Sequence, residues 1–232
     1  MRIDKPVLEA RLLKRYKRFF ADVELPDGSS LTTHCPNTGT LLGCLQPGNR
    51  VWIRDSENEA RKLRYTLQAI EVEGVWVSVD TSLSNAVVCE ALEQGSIGEL
   101  KGYDGIRREV KYGSRSRIDL LLQREDEDCY VEIKSTTLAD CGVGLFPDAV
   151  TERGRKHLEE LARVARRAGQ RAVQFFLVGR ADVECFRPAD DIDPAYGKAL
   201  REAARAGVEL LAYRALVEKD RIEVSRPLPV EI

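Results

Sequence analysis

The 232-residue sequence predicts a two-domain α/β chain: an all-β first part, and a mixed sheet with flanking helices after it. Three observations predict this. Short alternating stretches separated by turn residues recur through the first 80 or so positions. Helical and strand-like stretches then alternate to the C-terminus. Between them lies a hairpin signature, Ser116–Gln123 and Cys129–Thr136 flanking the acid-rich centre Arg124–Asp128.

In the first part, Phe19-Ala21-Val23-Leu25 alternates, and Pro26-Asp27-Gly28 marks a turn into Ser30–Thr33. Pro47-Gly48 leads into Arg50–Arg54, and Glu73-Gly74 joins Tyr65–Ile70 to Val75–Val79. About five strands in this length fit a small, partly closed barrel, with the OB-fold one option and a small sandwich the other. The run Arg11, Lys14, Arg15, Lys17, Arg18 holds no acid and is interleaved with Tyr16, Phe19 and Phe20. Single-stranded nucleic-acid binders use such a combination for backbone attraction and base stacking. The competing view makes the aromatics core and the charges merely solvated.

In the second part, Ser84 or Asn85 can cap a helix carrying Val88, Ala91 and Leu92, with Glu90 on it. Ile106–Tyr112 reads as a strand inside a locally basic stretch that includes Lys111, Arg115 and Arg117. Gly142–Asp148 reads as a loop, and Thr151 caps a helix with Leu158, Leu161, Ala162 and Ala165 on its apolar stripe. Ala172–Val178 is a buried strand, Val183–Phe186 a short one. Asp193-Pro194 opens a last helix, closed by Gly207 before strand Val208–Tyr213.

The hairpin carries the candidate chemistry. A turn centred on Glu125 and Asp126 sets Leu122 opposite Cys129, Leu120 opposite Val131 and Asp119 opposite Glu132. Period-two alternation puts Ile118, Leu120 and Leu122 on one face, and Glu132 with Lys134 on another. Opposed carboxylates repel, so they want a cation between them or a shared proton. Asp119, Glu132 and Lys134 thus make a plausible seat for a hard divalent ion, with the Lys oriented on water or phosphate. An ordinary solvated hairpin is the plainer alternative.

A net charge of −2 and a pI near 5.9 give no global pull toward nucleic acid, so such binding must come from a local patch. The six cysteines form no C-x-x-C pair, and the N-terminal residues show no apolar signal core. The expectation is a cytoplasmic protein with reduced thiols and no membrane association. Only His34 and His157 are present, and neither is paired with a Ser or Cys nucleophile.

Several motifs resemble the sugar fermentation stimulation protein A (SfsA) family: His34–Gly39, Ser116–Asp119, Glu132–Lys134, Phe146–Gly154 with Lys156-His157-Leu158, Phe186-x-Pro188-Ala189, and Ile192-Asp193-Pro194-x-Tyr196. The resemblance covers nearly the whole chain. It implies an OB-like β-barrel over residues 1–82 and a restriction-endonuclease-like, PD-(D/E)XK nuclease-type mixed-sheet domain over 83–232. It implies DNA binding. In the nuclease-like pattern Asp119 and Glu132 hold Mg²⁺ (or Mn²⁺), Lys134 assists water, and Glu90 supplies a further acid. Ile118 stands where the superfamily name implies Pro, which leaves the ligand side chains in place.

The functional expectation is a DNA-binding protein with a nuclease-type metal site. An active Mg²⁺-dependent nuclease is the alternative, and a sugar-metabolism regulator without nucleic-acid chemistry the third. The phosphate-binding candidates are Arg15, Lys17, Arg18, Lys111, Arg117 and Arg153. His34, Asn37 and Thr38 form a candidate ligand loop, and a homodimer stays open.

Overall fold

The computed structural model describes residues 1–112 and 116–232. Six strands build the first domain: β1 (Val7–Tyr16), β2 (Phe20–Glu24), β3 (Ser30–His34), β4 (Arg50–Asp55), β5 (Tyr65–Val72) and β6 (Val75–Ser78). They run in the order β3-β2-β1-β4-β5-β6, and a parallel bridge from His34 to Thr66 closes β3 onto β5. Closure makes this an OB-type barrel and excludes the sandwich. Leu12, Val23, Val51, Ile53, Leu67 and Ile70 fill it and are fully buried. The basic run 11–18 belongs to the long first strand and its turn, where the chain reverses through Lys17 (φ 48°) and Arg18 (φ 62°).

The second domain opens with α1 (Ser84–Glu93). Its cap differs from expectation. Neither Ser84 nor Asn85 caps it; the Asp80 carboxylate instead accepts from the Ser82 amide of a preceding 3₁₀ turn, while also pairing with Arg54 at 2.7 Å. There follow β7 (Gly105–Tyr112), β8 (Ser116–Arg124), β9 (Glu127–Thr136), β10 (Leu138–Asp140), β11 (Val143–Phe146), α2 (Glu152–Ala165), β12 (Gln170–Val178), β13 (Cys185–Pro188), α3 (Pro194–Arg205), β14 (Glu209–Glu218) and β15 (Arg221–Leu228). The main sheet runs β15-β14-β12-β9-β8-β7, parallel at its β14-β12-β9 centre and antiparallel toward both edges. Helix α1 packs on one face against Leu120, Val131 and Phe175. Helices α2 and α3 cover the other through Leu158, Leu161, Tyr196 and Leu200. The expected loop at 142–148 contains β11, which joins β10 and β13 in a small separate sheet. Strand β15 extends the main sheet at its edge, and its Pro227 is tolerated there because an edge strand need not donate on both sides.

The domains meet through the loop between β3 and β4. The Leu41 amide donates to the Asp148 carboxylate at 2.8 Å, and the Thr40 hydroxyl donates to the Asp148 carbonyl at 2.6 Å. Gly39 permits this approach: a Cβ there would lie 2.6 and 2.7 Å from the two Asp148 carboxylate oxygens. A second seam joins the Ser78 amide to the Gly179 carbonyl at 2.7 Å. Gly39→Ala is therefore expected to loosen the docking and destabilise the chain by about 1–3 kcal/mol. Urea unfolding and limited proteolysis would measure it; an unchanged midpoint would show that Asp148 gives way without cost.

Candidate metal and nucleic-acid site

The hairpin of β8 and β9 has the expected register, with Leu120 facing Val131, Leu122 facing Cys129 and Arg124 facing Glu127. The ladder ends there, one pair short of the acids. Instead of a backbone carbonyl, the Asp119 carboxylate accepts from the Ile133 amide at 2.7 Å. The strand also changes face at this point. Ile118 packs with Leu121 and Tyr112 on the α2 side, whereas Leu120 packs on the α1 side. That corrects the simple alternation expected for 118, 120 and 122. The neighbouring strand is distorted at the same level, with Glu109 at φ 54°.

Asp119, Glu132 and Lys134 all line one cleft of about 770 Å³ between the domains. Glu132 is buried. One of its oxygens, Oε1, receives Lys134 Nζ at 2.6 Å and the His157 Nδ1 side of the imidazole. His157 Nε2 in turn accepts from Arg153 Nε at 3.4 Å. The tautomer with the proton on Nδ1 satisfies both His157 contacts. Helix α2 holds this chain of groups in place. Thr151 caps it through the Gly154 amide at 3.0 Å, and Asp193, the cap of α3, accepts from the Thr151 amide at 2.8 Å.

The two acids are tuned in opposite directions. Burial pushes the Asp119 carboxyl up, the nearby Glu132 charge pushes it further, and hydrogen bonds from Ile133 and Asn85 only partly offset this. Burial also pushes Glu132 upward, but the His157 hydrogen bond and the Lys134 charge outweigh it and hold the carboxyl below its ordinary range.

Two groups of the site escaped the sequence reading. Asn85, considered only as a cap, donates to Asp119 at 2.9 Å and to Glu109 at 3.1 Å. His157, noted in the sequence as lacking a nucleophile partner, lies against the Glu132 carboxylate. Glu90 does not join them. Its carboxylate pairs with the Met1 amino group and lines a separate cavity with Glu223. Helical geometry gives the reason: five residues at 100° each turn Glu90 about 140° away from Asn85. Among the described residues no group of three or more His, Cys, Asp or Glu is arranged to hold a metal ion. The set available to one is the pair of carboxylates.

The basic candidates divide. Arg15 is not free for phosphate, because its guanidinium donates to the carbonyls of Arg18, Asn37, Gly39 and Thr40 and braces the interdomain loop. Arg18 and Arg153 are exposed and line the cleft from opposite domains, and Arg153 makes no salt bridge among the described residues. Lys17 is exposed on the β1–β2 turn, away from the cleft lining. Lys111 and Arg117 are exposed and face each other across β7 and β8, also outside it. Arg115 lies outside the described residues. In the candidate ligand loop, Asn37 is buried and accepts from the Gly39 amide at 2.8 Å, and Thr38 lines the cleft. His34 does not reach the cleft; it faces Phe20 across β2 and β3.

Two family models cover the chain. Residues 13–79 match the SfsA N-terminal OB domain, and residues 82–221 match the sugar fermentation stimulation protein RE domain. The chain belongs to the SfsA family. Curated relatives named sugar fermentation stimulation protein homolog are 52% identical in Geobacter metallireducens over 231 residues and 51% in Citrifermentans bemidjiense over 230, each covering 99% of both chains. A solved SfsA structure, that of Pyrococcus furiosus in complex with Ca²⁺, is similar over 100% of both chains with a TM-score of 0.90 and 30% identity. The two chains thus share this two-domain frame over their full length. No helix among the described residues is long and apolar enough to cross a membrane.

The Asp119 environment makes a signed prediction. A carboxyl raised above the ordinary range of an aspartate destabilises the fold once ionised, so stability is lost as pH rises through its folded pKa. Asp119→Asn keeps an acceptor for Ile133 and removes the charge. The thermal midpoint of the metal-free variant should exceed wild type at pH 7, and the gap should shrink as pH falls toward about 4. A variant that melts below wild type at pH 7 would contradict the charge accounting.

Proposed function

We propose that this chain binds DNA and carries a divalent-metal site of nuclease type in its C-terminal domain. The observation that supports it best is the meeting of Asp119, Glu132 and Lys134 in one cleft, faced from the barrel by Arg18. The donor set fits a hard cation. Glu132 Oε2 is a buried carboxylate oxygen with no hydrogen-bond partner among the described residues, beside a second carboxylate whose charge is disfavoured. Mg²⁺ takes one or two carboxylates and completes its shell with water and phosphate oxygens. The relative solved with Ca²⁺ agrees with divalent-cation binding in this family. The OB domain is consistent with nucleic-acid binding.

Asp119 and Glu132 would hold Mg²⁺ or Mn²⁺, which supplies polarisation of a phosphate and an acidified water. The chain's own groups do the rest. Arg18 and Arg153 attract and seat the phosphate backbone from the two sides of the cleft. His157 fixes the Glu132 carboxylate, and Lys134 sets an ammonium where charge develops on phosphate or water. That last placement favours a second reading, an active nuclease hydrolysing phosphodiester bonds.

Calorimetric titration of Mn²⁺ into wild type and Asp119→Asn tests the metal site. Wild type should bind and the variant should lose most of its affinity; identical isotherms would remove the site. Affinity for DNA should fall steeply with salt, as phosphate binding requires. A salt-independent constant would exclude this mode of binding. For the nuclease reading, Asp119→Ala and Lys134→Ala should abolish Mg²⁺- or Mn²⁺-dependent cleavage and leave DNA binding largely intact. Failure of wild type to cut single-stranded, double-stranded or structured substrates would eliminate that reading alone.

A further inference from the structure

The outer face of the barrel carries a ring ladder with no role in the cleft. Tyr16 on β1 faces Phe20 on β2, which faces His34 on β3, so three rings form one cross-strand row. Their neighbours Arg15, Ala21 and Thr33 form the adjacent row; Ala21 and Thr33 are buried, which turns the ring row outward. The Tyr16 and Phe20 rings stack at 5.5 Å between centroids and 17° between planes. Lys14 Nζ lies 5.4 Å from the Tyr16 ring centre. At the hairpin tip Phe19 is 46% exposed, and Tyr16 is 36% exposed. Exposed aromatics grouped on one element call for a partner in a way that scattered ones do not.

The surrounding charge says which partner. Lys14 lies over the Tyr16 ring, Lys17 and Arg18 form the turn between Tyr16 and Phe19, and no acid occurs from Arg11 to Phe20. The acid nearest these rings on the outer face of β2, Asp22, is taken up by the Thr32 hydroxyl at 2.7 Å, the Tyr16 hydroxyl at 3.2 Å and Lys14 at 3.5 Å, and Glu24 lies two residues further along, facing Arg11. A polyanion with flat apolar faces satisfies both features at once. The tip also borders the cleft, for Arg18 lines it while Phe19, the next residue, is exposed outside it.

We infer that the barrel face of Tyr16, Phe19, Phe20 and His34 is a stacking platform for unpaired nucleotides. It deepens the proposed function and rests on it: the preferred ligand is single-stranded, or has a single-stranded segment beside the phosphate that enters the cleft. The physical reason is access. Bases in a duplex are stacked on one another and offer no face to a side-chain ring, whereas unpaired bases do. Arg18, at the boundary, takes the backbone between platform and cleft.

The test is fluorescence anisotropy of the full chain with labelled oligo-dT of about 20 nucleotides, the matching duplex, and oligo-U. Wild type should prefer the single strands. Phe19→Ala and Tyr16→Ala, both at exposed positions, should each weaken oligo-dT binding about ten-fold, the loss of one stacked base. Duplex binding and Mn²⁺ affinity should stay as in wild type, and Tyr16→Phe, which keeps the ring, should restore oligo-dT binding. Thermal midpoints confirm folding of each variant. Equal losses on duplex and single strand, or none on oligo-dT, would overturn the platform while leaving DNA binding and the metal site standing. Absence of binding to any nucleic acid would overturn both. Parallel losses with oligo-U would support a platform indifferent to the sugar, and losses with oligo-dT alone one that favours DNA.

Discussion

The hydrogen bond from the Ile133 amide to the Asp119 carboxylate decides the form of the site. A hairpin that kept its ladder would hold Asp119 and Glu132 directly opposed, with like charges at about 5 Å and both strands' amides spent on each other. Replacing one carbonyl acceptor by a side-chain carboxylate ends the pairing at Leu120 and Val131. It anchors one acid to the other acid's strand, and the face of β8 changes at this position. The chemistry of the cleft follows from that break, which the distortion of β7 at Glu109 accompanies at the same level.

The cleft has two sides only because the barrel is docked. Asp148, just before α2, accepts from the loop after β3, and Gly39 leaves room for its carboxylate. Arg15 braces the same loop through three backbone carbonyls, those of Asn37, Gly39 and Thr40. A charged side chain used in this way contributes no phosphate contact. Arg18, three residues on, is exposed and lines the cleft that holds the acids. Two arginines three residues apart and alike in type thus do different work, and carbonyl geometry is what separates them.

The hairpin register is legible in the sequence because a symmetric charged turn and period-two apolar runs permit one pairing. Helix caps at Thr151 and Asp193 are legible for a similar reason, since a side-chain acceptor and the amides it meets are close in sequence. Glu90 and Asn85 show the limit. Both sit on α1, and which of them meets Asp119 depends on the helix's rotation over the sheet, a tertiary quantity that local pattern does not hold. The distinctive residue type, an acid, points to the wrong one. His157 is hidden differently: a lone histidine on an amphipathic helix looks like any other until Glu132, 25 residues earlier, arrives beneath it. Strand β11 is masked by Gly142 just before it and Gly144 within it, which read as loop although Gly144 packs closely under Val183.

The opposite tuning of the two acids ties stability to the proposed chemistry. Glu132 is the stable charge, neutralised by Lys134 and hydrogen-bonded by His157 on one oxygen, and its second oxygen has no partner. Asp119 is the unstable one, because burial and Glu132 act on it together. A site of pure structural purpose would reduce this conflict with a second cation or a neutral amide at 119. A site that recruits a cation needs the conflict, since the free energy stored in the repulsion is what a divalent ion releases on binding. Lys134 alone cannot relieve it, for its ammonium is already engaged with Glu132 at 2.6 Å. The remaining negative charge is therefore that of Asp119, which lines the same cleft as Arg18 and Arg153.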